Sequence, residues 1–301
     1  MEHGSWGRRL AFVAALVVAL ALAARSDVIV AAWKELVQMI TVQGEPIAAS
    51  PAVLSSHEVE EIDALPPQGQ AGRLLERAIN HYDGASKMIA EHVDGWRGNI
   101  EMDQRLDGLF RTAIDANDLR VRAAAVELYL AAYNIEKTPE VLDRTMAACD
   151  ADSDGRTYRL FVVGLLGNRG VDPRRALDYL LRWSNDPDDE ARRWAVEGIS
   201  MLGTDDSIAP LLRIFHDDPS PVIRERAACG LAQHGMLTAR QRFTAIPELL
   251  RFADDPSLDE KTRGWVFQAL TDISGQRLGN DPRDWRDWWA KGPQPEAPIA
   301  P

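Results

Sequence analysis

One helical pattern recurs five times along this chain, and it leaves little room for any fold but a stack of helix pairs. Each occurrence is a polar, mostly acidic turn, then an arginine, a small apolar residue three later and an apolar residue seven later. The arginines are Arg122, Arg159, Arg192, Arg224 and Arg263. Three positions on stand Ala125, Val162, Ala195, Ala227 and Val266, and seven on stand Tyr129, Leu166, Ile199, Leu231 and Leu270. Offsets of three and seven share one face of an α-helix. The arginines are spaced by 37, 33, 32 and 39 residues, room for two helices and two turns each.

Between them lie partner helices with their own apolar stripes: Val141-Leu142 with Met146, Leu177-Leu180-Leu181, Leu211-Leu212-Phe215 and Leu249-Leu250-Phe252. Pro210 and Pro247 open two of these, in the first turn where a missing N–H costs nothing. Acidic turns from Asn185, His216 and Asp254 supply caps and place carboxylates at positive helix ends. With strand signals nearly absent, the expected fold is all-α: an α-solenoid of stacked antiparallel helix pairs over 71–291, in which each pair buries its face only against its neighbours. Helices from about Gly72 to Trp96 would cap its amino end. Trp285, Trp288 and Trp289, spaced i, i+3, i+4, would cover its carboxyl end.

The stretches NDPDDEARRWAVEGISMLG and DDPSPVIRERAACGLAQHG, alternating with PLLRIF and PELLRF, resemble HEAT repeats, in particular the short HEAT-like repeats of phycobilisome lyases. The resemblance covers about Leu106 to Gly275 and implies the superhelical fold. It is unspecific for function, since such repeats serve as scaffolds, adaptors, inhibitors, lyases and a few enzymes. It also implies that the five arginines form a structural ladder to acidic turns of adjacent repeats, and that ISGQRLGNDPRDWRDWWAKG is a carboxyl-terminal cap found on bacterial HEAT-repeat proteins.

Ahead of the repeats, Leu10 to Ala24 is uncharged and follows Arg8 and Arg9. This is the layout of an export signal, and Ala21-Leu22-Ala23 suits a cleavage site. The run spans only about 22 Å against a hydrocarbon core of about 30 Å. Apolar character resumes at Val28, however, with Val28, Ala32, Leu36 and Ile40 on one face and Trp33 suited to a membrane interface. Residues 1–43 are therefore expected to be a signal or anchor helix. The chain would sit in the cytoplasmic membrane as a single pass with the solenoid outside, or be exported as a soluble protein after cleavage. Residues 44–70, with four prolines, are expected to be a flexible linker with at most one short helix, and 292–301 a disordered proline-rich tail.

With 46 acidic against 34 basic residues the net charge is −12, a surface that repels phosphate, so nucleic acid is not an expected partner. No H-E-x-x-H, Walker A loop, G-x-S-x-G, S-x-x-K or C-x-x-C occurs, and no cofactor is expected. Asp150, Asp152 and Asp154 with Gly155 form the opening half of a calcium loop, but the twelfth position, which needs an acid, is Phe161. The competing reading is a turn that caps the next helix. Cys149 and Cys229 lie on or beside apolar helix faces and read as core residues.

Two positions past each arginine stand Ala124, Phe161, Trp194, Arg226 and Trp265. In HEAT folds this line faces the concave groove, so Trp194 and Trp265 are candidate anchors for a partner, with Arg193, Glu197, Glu225 and Gln268 as a polar rim. The opposing reading is packing between repeats. The expected function is a noncatalytic scaffold or adaptor that takes a protein or peptide in its groove. The alternatives are a HEAT-like lyase or isomerase and a calcium-dependent structural module.

Overall fold

A computed structural model describes residues 52–292, and among them every regular element is a helix. The expected anchor helix and all but the first residue of the expected tail lie outside the described residues. The expected linker is partly built. Helix α1 (Ser56–Asp63) is capped by Ser55 and buries Ile62, and α2 (Pro67–Ile79) starts inside the span assigned to linker. Pro67 pre-sets the first helical turn, and Ala71, Leu74, Leu75 and Ala78 then line one buried face. That face packs against α3 (Ala85–Trp96) and α4 (Gln104–Ile114), and α5 (Leu119–Ala132) closes the group.

From Pro139 onward the chain alternates between two layers. The outer helices are α6 (Pro139–Ala151), α8 (Pro173–Trp183), α10 (Ile208–Asp217) and α13 (Ile246–Ala253). The inner helices are α7 (Arg156–Asn168), α9 (Asp189–Leu202), α11 (Pro221–Ala232) and α14 (Glu260–Ser274). A short α12 (Ala239–Phe243) precedes α13 (Ile246–Ala253) and α14 (Glu260–Ser274), and α15 (Pro282–Ala290) ends the stack. Successive inner helices pack directly, whereas successive outer helices barely touch, so the stack curves toward its inner face. The tightest inner contact is made where side chains are missing. Gly164 on α7 meets the Gly198 backbone on α9, and a Cβ added at Gly198 would lie 2.7 Å from the Leu160 carbonyl oxygen. Alanine at either position would force the two helices apart.

Arginines tie the inner layer together from its acidic edge. Arg192 donates to the Asp186 and Pro187 carbonyls of its own turn and to Asp218 of the next, at 3.1 Å from Nε. Arg224 repeats this, with the Asp218 carbonyl behind it and Thr262 and Asp259 ahead, at 3.0 and 2.9 Å. Arg159 and Arg263 stay within their own turns, on backbone carbonyls and, for Arg159, the Asp152 carboxylate at 3.7 Å. Arg192→Ala and Arg224→Ala should each cost about 1–3 kcal/mol, because each strands acceptors in two repeats. Arg263→Ala should cost less. Urea melts that gave all three variants equal losses would refute the cross-repeat role.

Arg122 corrects the expected ladder. It fits the sequence pattern, yet its guanidinium donates to the carbonyls of Ala116, Gln233 and Gly235, the last two more than a hundred residues away. The reason is the direction of α5. Tyr129, late in α5, meets Tyr158 and Phe161, early in α7. Arg122, early in α5, reaches the turn after α11, where Gly235 (φ +77°) lies against the Ser200 backbone near the end of α9. So α5 crosses the inner layer in the opposite sense instead of extending the stack. The carbonyls it reaches end a helix, where the dipole is negative and acceptors lack partners. Arg242 serves the same turn from α12, donating to Leu231, His234 and Leu237 carbonyls, and burial together with the Arg122 charge pushes its guanidinium down to about 10.

The carboxyl-terminal cap also differs from expectation. Trp285 alone is fully buried, its Nε1 donating to the Gly279 carbonyl at 2.8 Å. Trp288 and Trp289 stay half-buried, leaning on Phe243 of α12.

Candidate interaction surface

Where α5 crosses α7, aromatic side chains from four helices join into one run. Phe110 of α4 lies 4.9 Å from Tyr129, which lies 4.7 Å from Tyr133 one helical turn on. Tyr133 meets Tyr158 edge-on at 5.6 Å, Tyr129 meets Phe161 at 5.6 Å, and Phe161 meets Trp194 of α9 at 6.2 Å. Tilted and edge-to-face pairs of this kind are the favoured aromatic geometries. The lower members are core, with Phe161 only 9% exposed. The upper members are not: Tyr133 is 46% exposed and Tyr158 37%. Burial of the Tyr158 hydroxyl, with Tyr133 beside it, pushes its phenol up to about 12, and burial also pushes the Tyr129 phenol up. Both therefore remain neutral hydrogen-bonding groups at ordinary pH.

Of the line anticipated from the sequence, Phe161 and Trp194 belong to this run. Trp194 is half-buried, donates from Nε1 to Glu190 at 2.8 Å, and carries the Arg193 guanidinium 5.1 Å from its ring. Hydrogen bonds from Arg193 and Trp194 hold Glu190 below the usual carboxylate range. Trp265 stands apart on α14 under Lys261, near exposed Gln268, which donates to Asp272. Glu225 is exposed on α11.

Glu197 of the expected rim and Arg226 of the expected line pair with each other instead of standing open. Glu197 is buried, accepts from Arg226 Nη2 at 2.9 Å and faces His234 Nε2, while His234 Nδ1 meets Asp115 at 2.9 Å. Burial alone would raise the Glu197 pKa, but His234 and Arg226 outweigh it and hold the carboxyl at about 2. This chain of charges fastens the end of α4 to α9 and α11. Glu127 of α5 adds a tie to Arg169 at 3.4 Å. Part of the face expected to be free groove is thus covered by the chain's own α4–α5 corner. Helical periodicity alone could not reveal a cover supplied from so far along the chain.

Two grooves open on the outer layer, where its helices splay. One, of about 440 Å³, is lined by α6 and α8, with Asp143 paired to Arg175 and Asp150 to Arg182 and Tyr179. The other, of about 460 Å³, lies between α10 and α13, and there His216 is held by Asp217 and by Asp255 at 3.1 Å. Most charges lining the two grooves are paired, Glu248 with Arg251 in the second. The calcium candidate does not assemble: Asp150 is engaged by Tyr179 and Arg182, Asp152 accepts from the Asp154 backbone, and no metal-holding group of three ligands forms among the described residues. Burial pushes both the Cys149 and Cys229 thiols up, away from the reactive thiolate.

The exposed tyrosines are what sequence reasoning missed. Tyr129 and Tyr133 are spaced i, i+4, and Tyr158 and Phe161 i, i+3, so two helices each offered an aromatic pair on one face. Residues 150–232, from the end of α6 to the end of α11, match the family described as HEAT repeats. No curated protein matches the chain.

Proposed function

We propose that this protein is a noncatalytic interaction scaffold whose docking face is the aromatic run on the inner layer. The observation that carries this reading is the exposure of Tyr133 and Tyr158 at the top of an otherwise buried aromatic cluster. Large rings held rigidly by packed neighbours, with an edge left to solvent, are the residues on which protein interfaces concentrate binding energy. The matching HEAT repeats favour the same reading, since repeats of this kind commonly hold other proteins. The lyase or isomerase alternative draws no comparable support, because His216 and His234 are each engaged by two carboxylates and the two thiols are buried or half-buried.

The proposal extends to display at the outer face of the cytoplasmic membrane. No helix among the described residues is long and apolar enough to cross a membrane, so this part rests on the amino-terminal sequence behind Arg8 and Arg9. One experiment in intact cells tests both parts. A photocrosslinking residue at Tyr158 should capture a protein that the same residue at Asp178, in the outer groove, does not. A membrane-impermeant amine reagent should label exposed Lys261 without lysis. Equal capture from both positions, or none from Tyr158, would remove the docking face. Labelling only after lysis would remove the location.

A further inference from the structure

The scaffold reading leaves the chemistry of the partner open, and the inner face carries information on it. Aromatic faces are electron-rich and attract cations, arginine above all. The protein already uses this on its own inner layer: Arg193 covers Trp194 at 5.1 Å and Lys261 covers Trp265 at 5.0 Å. Among the described residues, no cation of the chain covers Tyr133 or Tyr158, the two most exposed rings of the run.

The surroundings of those rings are negative. Inner helices α7, α9, α11 and α14 all begin at one edge, and the turns ahead of α9 and α14 hold more carboxylates than the basic residues that follow them. The turn ahead of α9 carries Asp186, Asp188, Asp189 and Glu190 against Arg192 and Arg193. Ahead of Tyr158 itself stands exposed Asp154, whose carboxylate pairs with no cation among the described residues, while Asp107 of α4 is held by Arg111 at 2.8 Å. The excess at this edge has the sign of the whole chain, whose net charge is −12. A field of that sign steers cations toward the face and turns anions away.

Resting on the scaffold reading, we propose that the inner face docks an arginine-rich peptide segment of its partner, with guanidinium groups laid on the Tyr133 and Tyr158 rings and paired with carboxylates of the acidic edge. Arginine suits this place better than lysine, because its planar group stacks on a ring while its N–H groups reach a carboxylate.

The test uses the full chain and three probe peptides of equal length, in which serine alternates with arginine, glutamate or leucine. Titration calorimetry should show binding of the arginine peptide alone, weakened about tenfold or more between low and high salt as exposed charges are screened. The Tyr133→Leu/Tyr158→Leu double variant keeps apolar bulk and removes the tyrosine faces and hydroxyls, and it should weaken binding at least about tenfold. Because that variant disturbs a packed cluster, the exposed change Asp154→Asn supplies a second arm and should weaken binding without altering the melt. Asp143→Asn and Asp178→Asn in the outer groove should leave binding unchanged. No binding of the arginine peptide, equal binding of the glutamate peptide, or equal losses from the outer-groove changes would overturn the proposal. If the leucine peptide alone binds and the tyrosine variant abolishes it, the docking face stands and the cationic partner falls. If inner-face variants affect no probe, and crosslinking from Tyr158 fails as well, both fall.

Discussion

Trp285→Ala should lower the stability of the helical body by about 3–5 kcal/mol, the usual loss when a fully buried large ring is truncated. For a body of this size that corresponds to a drop in melting temperature on the order of ten degrees. The ring is completely enclosed where α15 closes against α13, and its indole N–H satisfies the Gly279 carbonyl, so alanine leaves both a cavity and an unmet acceptor. Trp288→Ala and Trp289→Ala should cost far less, since both rings are half-buried against Phe243. Trp285→Phe should fall between, recovering ring volume but not the hydrogen bond. A melt in which Trp288→Ala is as damaging as Trp285→Ala would show that the cap is shared among the three rings.

Glu197→Gln should be comparably severe, at about 3–5 kcal/mol, because it removes one partner from a buried charge network and leaves Arg226 facing an amide. The acid side of the stability profile supplies a second readout. The Glu197 pKa is depressed on folding, from 4.5 to about 2, so its contribution is fully present above the unfolded value. That contribution is lost as pH falls from 4.5 through about 2. The wild-type protein should therefore lose stability over this window more steeply than the glutamine variant. Parallel profiles for the two would mean that Glu197 titrates alike in the folded and unfolded chains.

The inner helices were legible in the sequence because what defines them is local: an acidic turn, an arginine and apolar positions at three and seven recur on a single face, as in α9 and α11. Arg122 obeys the same local rule and has a different role, since its partners at Gln233 and Gly235 depend on the direction in which α5 crosses, and no periodicity encodes direction. The tryptophan spacing at the carboxyl end marked a helix face correctly but not which ring enters the core. That is decided by the approach of α15 to α13 and by the position of the Gly279 carbonyl. In the same way Phe161 and Trp194 were recognisable as one line, while Tyr133 and Tyr158 became neighbours only through the crossing. Within the span read as linker, the one short helix allowed for is α1, and Pro67, read there as a loop residue, sits where proline starts a helix.

An unbraced row of repeats behaves like a line of dominoes, each held only by the next, so that ends fray and the middle outlasts them. The α5 crossing changes that mechanics. By joining Arg122 to the turn at Gly235, it closes a circuit of more than a hundred residues through α7, α9 and α11. Opening the circuit at one joint slackens the rest, so these repeats are expected to melt together and exchange their amide hydrogens as one block. The same circuit makes folding slower than in a simple stack, because its closing contact joins distant parts of the chain. Stiffness of this kind suits a surface that presents its rings to a partner in one fixed arrangement, at little entropic cost on binding.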